Sequence, residues 1–232
     1  MALQPPGYYD FEFFATFDGD DNSLNDVYLD FTVASVVTLN DNFLIHFNEF
    51  NRPVEPPYYV MTNEHSMAET SRDAASTGLR GFLFSGLNVQ RNSIDYPESE
   101  DDNFNKNLEY ESRLCMCIDA TAWDSLSIAF DLRQGYSDMY AQFAQDVENP
   151  QLGVALRLIA DENPVSVQYH PDSIFADTFV HHTVNLDAYA GTSFDLCFQG
   201  KHFFSKTDDF LDTDGDFSHI DNVELIAKET VS

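Results

Sequence analysis

Five aspartates fall within nine residues, in the run Asp208-Asp-Phe-Leu-Asp-Thr-Asp-Gly-Asp216. At pH 7 such charges repel one another unless water or a cation screens them. The core of the run has the spacing of part of a calcium loop. Asp212, Asp214 and Asp216 would be oxygen ligands, and Gly215 would sit at the sharp turn. The bidentate glutamate of an EF-hand is missing at the required distance, and no helical pattern flanks the run. An EF-hand is therefore excluded, and a solvated acidic loop is the plainer reading. Ring stacking is a second chemistry, because an aromatic face matches the C–H face of a sugar. Tyr58, Tyr59, Trp123, Tyr136 and Tyr140 lie in or near predicted loops and are the candidates. Against them, 21 Phe and 11 Tyr in one chain mean that most rings must be core.

Catalytic constellations are weak. His181 and His182 are adjacent, and adjacent strand residues point to opposite faces, so the two do not readily share a metal. No nucleophile elbow, zinc-protease helix or phosphate-cradling glycine loop occurs. A carboxylate pair for glycoside hydrolysis could be picked anywhere among 40 acidic residues, so no pair is informative. Cys115 and Cys117 sit two apart on a predicted strand, and Cys197 sits on another. One bridge from Cys197 to either partner would leave an odd thiol, and three reduced cysteines are the alternative.

The elements that must position these groups are strands. Leu126, Ile128, Phe130 and Leu132 alternate with polar or small residues, as do Phe194, Leu196 and Phe198. Period two marks a strand with one buried face. Further strands are predicted from the aromatic opening at Tyr8–Phe17, then over 27–39, 43–47, 58–61, 81–86, 114–118, 153–159 and 179–186. A hairpin turning at Asp161–Pro164 would bring back a strand over 165–169. Ser66 with Glu69 fits a helical capping box, which predicts a short helix over 67–75. Tyr140, Phe143, Ala144 and Val147 permit another. The polar stretch 88–107 reads as a long surface loop. Many short strands and no long helix predict an all-β, two-sheet antiparallel sandwich, forming one domain over 1–232.

Composition narrows function. Forty acidic against 11 basic residues give a net charge of −29, which excludes nucleic acid as a partner. No apolar run reaches the roughly 18 residues of a membrane helix, so membrane insertion is not expected. No charged-then-apolar leader opens the chain, which fits an expression start joined to a mature secreted protein, with a cytosolic protein as the alternative.

The C-terminal end also carries a resemblance. Leu186, Tyr189, Ala190 and Gly191, then Phe194, Leu196, Phe198 and Gly200, then Gly215, Asp216, Ile220, Asp221, Asn222, Val223 and Leu225 form a pattern. It resembles the closing part of the cleaved-adhesin and MAM-like jelly-roll modules of secreted and cell-surface Bacteroidetes proteins. The resemblance implies a jelly roll, a secreted or surface location, and adhesion or glycan binding. It also implies a structural Ca²⁺ where the first and last strands meet, with Asp221 as one ligand and Glu12, Asp18 or Asp20 as its partner. The expected partners are a glycan or a cell-surface protein. A homo-oligomeric or filament subunit is the alternative, and a jelly-roll glycosidase or lyase the second.

Overall fold

The computed structural model describes residues 7–14, 27–34, 36–38, 43–45, 47, 58–63, 65–87, 110–136, 153–172, 178–204 and 215–229. They form strands β1 (Gly7–Phe14), β2 (Val27–Ala34), β3 (Val36–Thr38), β4 (Phe43–Ile45), β5 (Tyr58–Met61), β6 (Ser66–Ser71) and β7 (Gly81–Gly86). Then come β8 (Glu111–Asp119), β9 (Ser125–Gly135), β10 (Ala155–Ala160), β11 (Asn163–Pro164), β12 (Val180–Asn185), β13 (Ser193–Lys201) and β14 (Phe217–Lys228). One 3₁₀ turn, Asp187–Tyr189, precedes β13.

Two sheets face each other. The first runs β11-β10-β13-β8-β3, with β5 also on β8, and the second runs β12-β9-β14-β7-β6, with β4 also on β14. From β8 onward the long strands alternate between sheets, as in a jelly roll. Pairing is antiparallel except for β3 on β8. The predicted alternation holds where it was cleanest: Leu126, Ile128, Phe130 and Leu132 of β9 are buried, as are Phe194, Leu196 and Phe198 of β13. Phe130 and Phe198 meet edge to face across the sandwich at 5.1 Å. Each such side chain contributes roughly 1.5–3 kcal/mol by leaving water.

β14 changes phase midway. Ile220 faces the core, yet so do Val223 and Leu225. The register shifts between Asp221 and Glu224, so β14 holds one residue more than β9 there. Asn222 takes φ 49°, and this bulge resets the alternation. At the same point the neighbour of β14 changes from β7 to β4.

Three expectations change. The predicted helix over 67–75 is instead strand β6 followed by a turn. A two-turn helix is marginal alone, whereas β6 pairs along all of β7 and Ser66 Oγ donates to Glu111 O at 2.7 Å. The return strand over 165–169 shortens to β11 plus one bridge from Tyr169 to Leu156. Asp161 and Glu162, at φ 45° and 64°, make the two-residue turn of that hairpin. Finally, β1 pairs with β2, and the described partners of β14 are β9, β7 and β4. The expected meeting of first and closing strands is not among the described pairings. The predicted helix at 140–147 and the loop 88–107 lie outside the described residues.

The glycines bounding β7 permit close crossings. A Cβ on Gly81 would lie 1.8 Å from Ala74 O, and one on Gly86 would lie 2.1 Å from Phe203 C.

Cys115 and Cys197 face each other in register on β8 and β13 and are bridged. Cys117 is free. Burial and Asp195 push its thiol up to about 12, so it is a poor nucleophile. The bridge closes a separation of 82 residues. On the chain-entropy account that is about 4.5 kcal/mol of unfolded-state freedom removed. Urea unfolding with and without reductant checks this. Reduction is expected to cost about 2–5 kcal/mol, and Cys117→Ser to cost nothing comparable. Equal midpoints with and without reductant would mean that no bridge is present.

Candidate functional site

The two sheets open at one edge, where β12 ends the second sheet and the β10–β11 hairpin ends the first. The segment 165–172 crosses this gap. Tyr169 exchanges both backbone hydrogen bonds with Leu156 of β10, at 2.9 and 2.7 Å. Its carbonyl also accepts Gln134 Nε2 of β9 at 3.2 Å. The segment is thereby tied to both sheets. Between it and β9–β12 lies a cleft of 420 Å³, lined by Arg133, Gln168, Tyr169, His170, Asp172 and His182 among others.

Strand register supplies the cleft's rings. His182 stands opposite Phe130, on the inward face of β12, and His181 stands opposite Asp131 on the outer face. The two histidines part as expected. His182 packs on Phe130 at 5.5 Å and on Tyr169 at 4.5 Å between centroids. Burial and the neighbouring His181 hold its pKa below the usual range, so it is neutral at pH 7. Burial raises the Tyr169 hydroxyl. His170 Nδ1 lies 2.9 Å from Val154 O and donates to it, which leaves Nε2 as an acceptor when the ring is neutral. Arg133 is locked by Asp73 O, by His219 Nδ1 and by the Phe179 ring at 4.9 Å. Gln168, Asp172 and His182 make no side-chain hydrogen bond to any described residue and offer donors and acceptors to the cleft.

Behind the cleft runs a buried polar chain. Gln134 Nε2 also donates to Ser218 Oγ at 2.9 Å, and His202 Nε2 lies 2.8 Å from the same oxygen. Burial pushes the His202 pKa down to about 3, so it is neutral. Asp216 is fully buried nearby. Its Oδ2 accepts the amides of Phe203 and Phe204 at 3.2 and 3.3 Å. Its Oδ1 has no partner among the described residues. Burial pushes this carboxyl up to about 7, against the pull of those two amides.

Asp221 sits at the β14 bulge. Its Oδ2 accepts the amides of Ser76 and Thr77 at 2.8 and 2.9 Å, and its Oδ1 accepts that of Asn222 at 2.8 Å. Across the strand pair, Asp131 accepts Asn222 Nδ2 at 2.7 Å, Ser76 Oγ at 3.2 Å and His181 Nδ1 at 2.8 Å. Burial works to raise the Asp131 pKa. The hydrogen bonds from Asn222, His181 and Ser76 outweigh it and hold the carboxyl low.

The aromatic candidates fare differently from the expectation. Tyr58 is 6% exposed, Tyr136 7% and Trp123 9%. All three are packed, and Tyr58 and Trp123 belong to the main core. Tyr59 lies on the outer face beside Cys115, Ile159 and Cys197. Tyr58, Tyr136 and Trp123 present no open ring face, because the sandwich needs its large rings for volume, whereas Tyr59 is partly buried. Tyr140 lies outside the described residues, as do Asp18, Asp20, Asp212 and Asp214. Glu12 is on β1, paired with Leu29 of β2.

No three or more His, Cys, Asp or Glu among the described residues form a group that could hold a metal. The described donors to Asp221 are the amides of Ser76, Thr77 and Asn222, and Asp18 and Asp20, expected beside it in a calcium site of six to eight oxygens, lie outside the described residues. Of the cleft residues, Gln168 and Tyr169 fall in the expected return strand over 165–169, and His170 to Asp172 fall in no predicted element. The signal available was the polar run Gln168-Tyr-His-Pro-Asp172, which breaks alternation and contains a proline.

No family model and no curated protein matches the chain. Among solved structures, a cleaved adhesin domain of Lys-gingipain from Porphyromonas gingivalis is similar at 14% identity and TM-score 0.44, covering 82% of this chain and 99% of that one. The CBM22-1 xylan-binding domain of Paenibacillus barcinonensis Xyn10C is similar at 6% identity and TM-score 0.39, covering 74% and 87%. A xylan-binding module CBM15 is similar at 12% identity and TM-score 0.40, covering 82% and 98%. At these scores the fold rests on the strand pairing described above.

Two measurements test this geometry. The Asp216 carboxyl titrates near 7 when folded and near its ordinary 3.8 when unfolded, so the native state holds the extra proton between those values. Its contribution to stability therefore falls as pH rises from about 4 to about 7, by at most about 1.4 kcal/mol per pH unit. His202 has the opposite sign: its proton, bound only on unfolding below pH 6.5, makes stability fall as pH falls toward 3. Denaturant unfolding of Asp216→Asn across pH 4–8 is expected to lack the first slope and keep the second. Parallel curves for wild type and variant would refute a buried titrating Asp216. Separately, Asp221→Ala is expected to cost about 1–3 kcal/mol by leaving amides unpaired, and excess EDTA to leave the wild-type Tm unchanged. A fall in EDTA that Asp221→Ala abolishes would assign a cation there instead.

Proposed function

We propose that the domain is a non-catalytic glycan-binding or adhesion module of a secreted or cell-surface protein, and that the cleft at the open edge takes the saccharide. The observation that carries this reading is the Tyr169–His182 ring pair, set on a floor tied to both sheets and ringed by side chains with unspent hydrogen-bonding capacity. Sugar hydroxyls both donate and accept. Gln168 provides both functions, Asp172 and His170 Nε2 accept, and neutral His182 has one donor and one acceptor nitrogen. A floor already held by Leu156 and Gln134 lowers the ordering cost of binding. Among the described residues, the cleft lining includes one carboxylate, Asp172. The bridge of Cys115 to Cys197 supports an oxidising, extracellular setting.

A glycan array followed by calorimetry tests the proposal. A saccharide that binds is expected to lose about tenfold in affinity, about 1.4 kcal/mol, with His182→Ala and also with Gln168→Ala. Gln168→Ala is expected to leave Tm unchanged. Binding that survives both substitutions would remove the cleft from the proposal, and an array without any binder would remove the glycan.

A further inference from the structure

A second cavity, of 280 Å³, lies on the outer face of the first sheet, lined by Glu111, Ala155, Arg157, Gln168, Gln199 and Lys201. Register builds it. Lys201 stands between Glu111 and Ala155, and Gln199 between Arg113 and Arg157. Those two rows gather three of the chain's 11 basic residues. Arg113 is engaged by both oxygens of Glu162, at 2.8 and 2.9 Å. Glu111 Oε2 accepts Gln199 Nε2 at 2.7 Å, and Gln199 Oε1 accepts Arg157 Nε at 2.6 Å. This relay holds the Arg157 guanidinium by one edge. Its two terminal nitrogens make no hydrogen bond to any described residue. Lys201, with its ammonium 5.4 Å from the centroid of the Phe203 ring, lines the same cavity. Gln168 lines both this cavity and the cleft.

We propose that this cavity is an anion subsite for the carboxylate or sulfate group of an acidic saccharide, a further part of which lies in the cleft beyond Gln168. The proposal rests on the glycan-binding reading of that cleft. The open fork of Arg157 matches the two oxygens of either group, and Lys201 adds a second charge. Glu111 offsets one of these charges, and Arg113 is already taken by Glu162, so Arg157 and Lys201 stand against one carboxylate among the described lining residues. The net charge of −29 repels anions at a distance. Over more than about 8 Å at physiological salt that repulsion is screened, and the open fork of Arg157 supplies the local hydrogen bonds.

Calorimetry with polygalacturonate and with its fully methyl-esterified, neutral form tests the carboxylate. Dextran sulfate against dextran tests the sulfate. The acidic form of one pair is expected to bind at least tenfold tighter than its neutral form. Arg157→Gln is expected to abolish that difference, Lys201→Gln to reduce it, and neither to change affinity for the neutral form. Equal binding of acidic and neutral forms, unaffected by Arg157→Gln, overturns the anion subsite and leaves the glycan reading standing. If none of these polymers binds and the array is also empty, the glycan reading falls. Titration with sodium sulfate, followed at the Arg157 Nε–H resonance, then judges the pocket alone. A saturable shift upholds an anion pocket, and no shift overturns it.

Discussion

The second sheet depends on β14 being hydrogen-bonded along both edges. β9 runs beside it from Phe217 to Lys228, while β7 and then β4 share the other side. A buried strand must satisfy every amide and carbonyl, and a change of neighbour leaves a gap in that accounting. The gap falls at Asp221 and Asn222. The chain fills it with a bulge, with a residue at positive φ, and with a carboxylate that gathers the amides of Ser76, Thr77 and Asn222. The first sheet handles the same problem on β8, whose edge is shared by β5 and β3.

Polar groups inside the sandwich follow the same accounting. Gln134, Ser218 and His202 are buried, and each is matched to another, so the chain of bonds links β9, β14 and the segment after β13. Through Gln134 it also reaches the carbonyl of Tyr169. The floor of the cleft is therefore anchored in the core, although the segment 165–172 is mostly not a regular strand. The matching is incomplete at Nδ1 of His202 and at Asp216, one of whose oxygens is left over among the described residues. The protein accommodates that carboxyl by raising its pKa rather than by pairing it.

The two faces at the open edge differ in character. The cleft between the sheets is aromatic and neutral, apart from Arg133 and Asp172. The outer face of the first sheet is polar, with its cations arranged by Glu111 and Gln199. The disulfide lies on that same outer face, one row further along, and joins the two strands that carry Arg113, Gln199 and Lys201. A bridge between neighbouring strands keeps their register, and that register places the charged rows side by side.

The sequence by itself determined the strands and the faces of the strongest ones. Alternation in β9 and β13 is local, so burial could be read residue by residue. The resemblance of Gly215–Leu225 to a closing strand also pointed to β14, which runs over Phe217–Lys228. The role of Asp221 was not legible, since its partners at 76 and 77 lie about 145 residues away and meet it only through the pairing of β14 with β7. The same limit governed the aromatics. Tyr58, Trp123 and Tyr136 looked like loop rings, but a sandwich fills its interior with whatever rings its register turns inward. Ser66 and Glu69 matched a helix start, yet the edge of β7 offered a full ladder of hydrogen bonds, and a short helix offers few. Tyr169, His182 and Gln168 come together only because a bridge to β10 and a pairing with β9 bring two sheet edges into contact. Local pattern encodes which face a residue takes; only the tertiary pairing decides which distant face it meets.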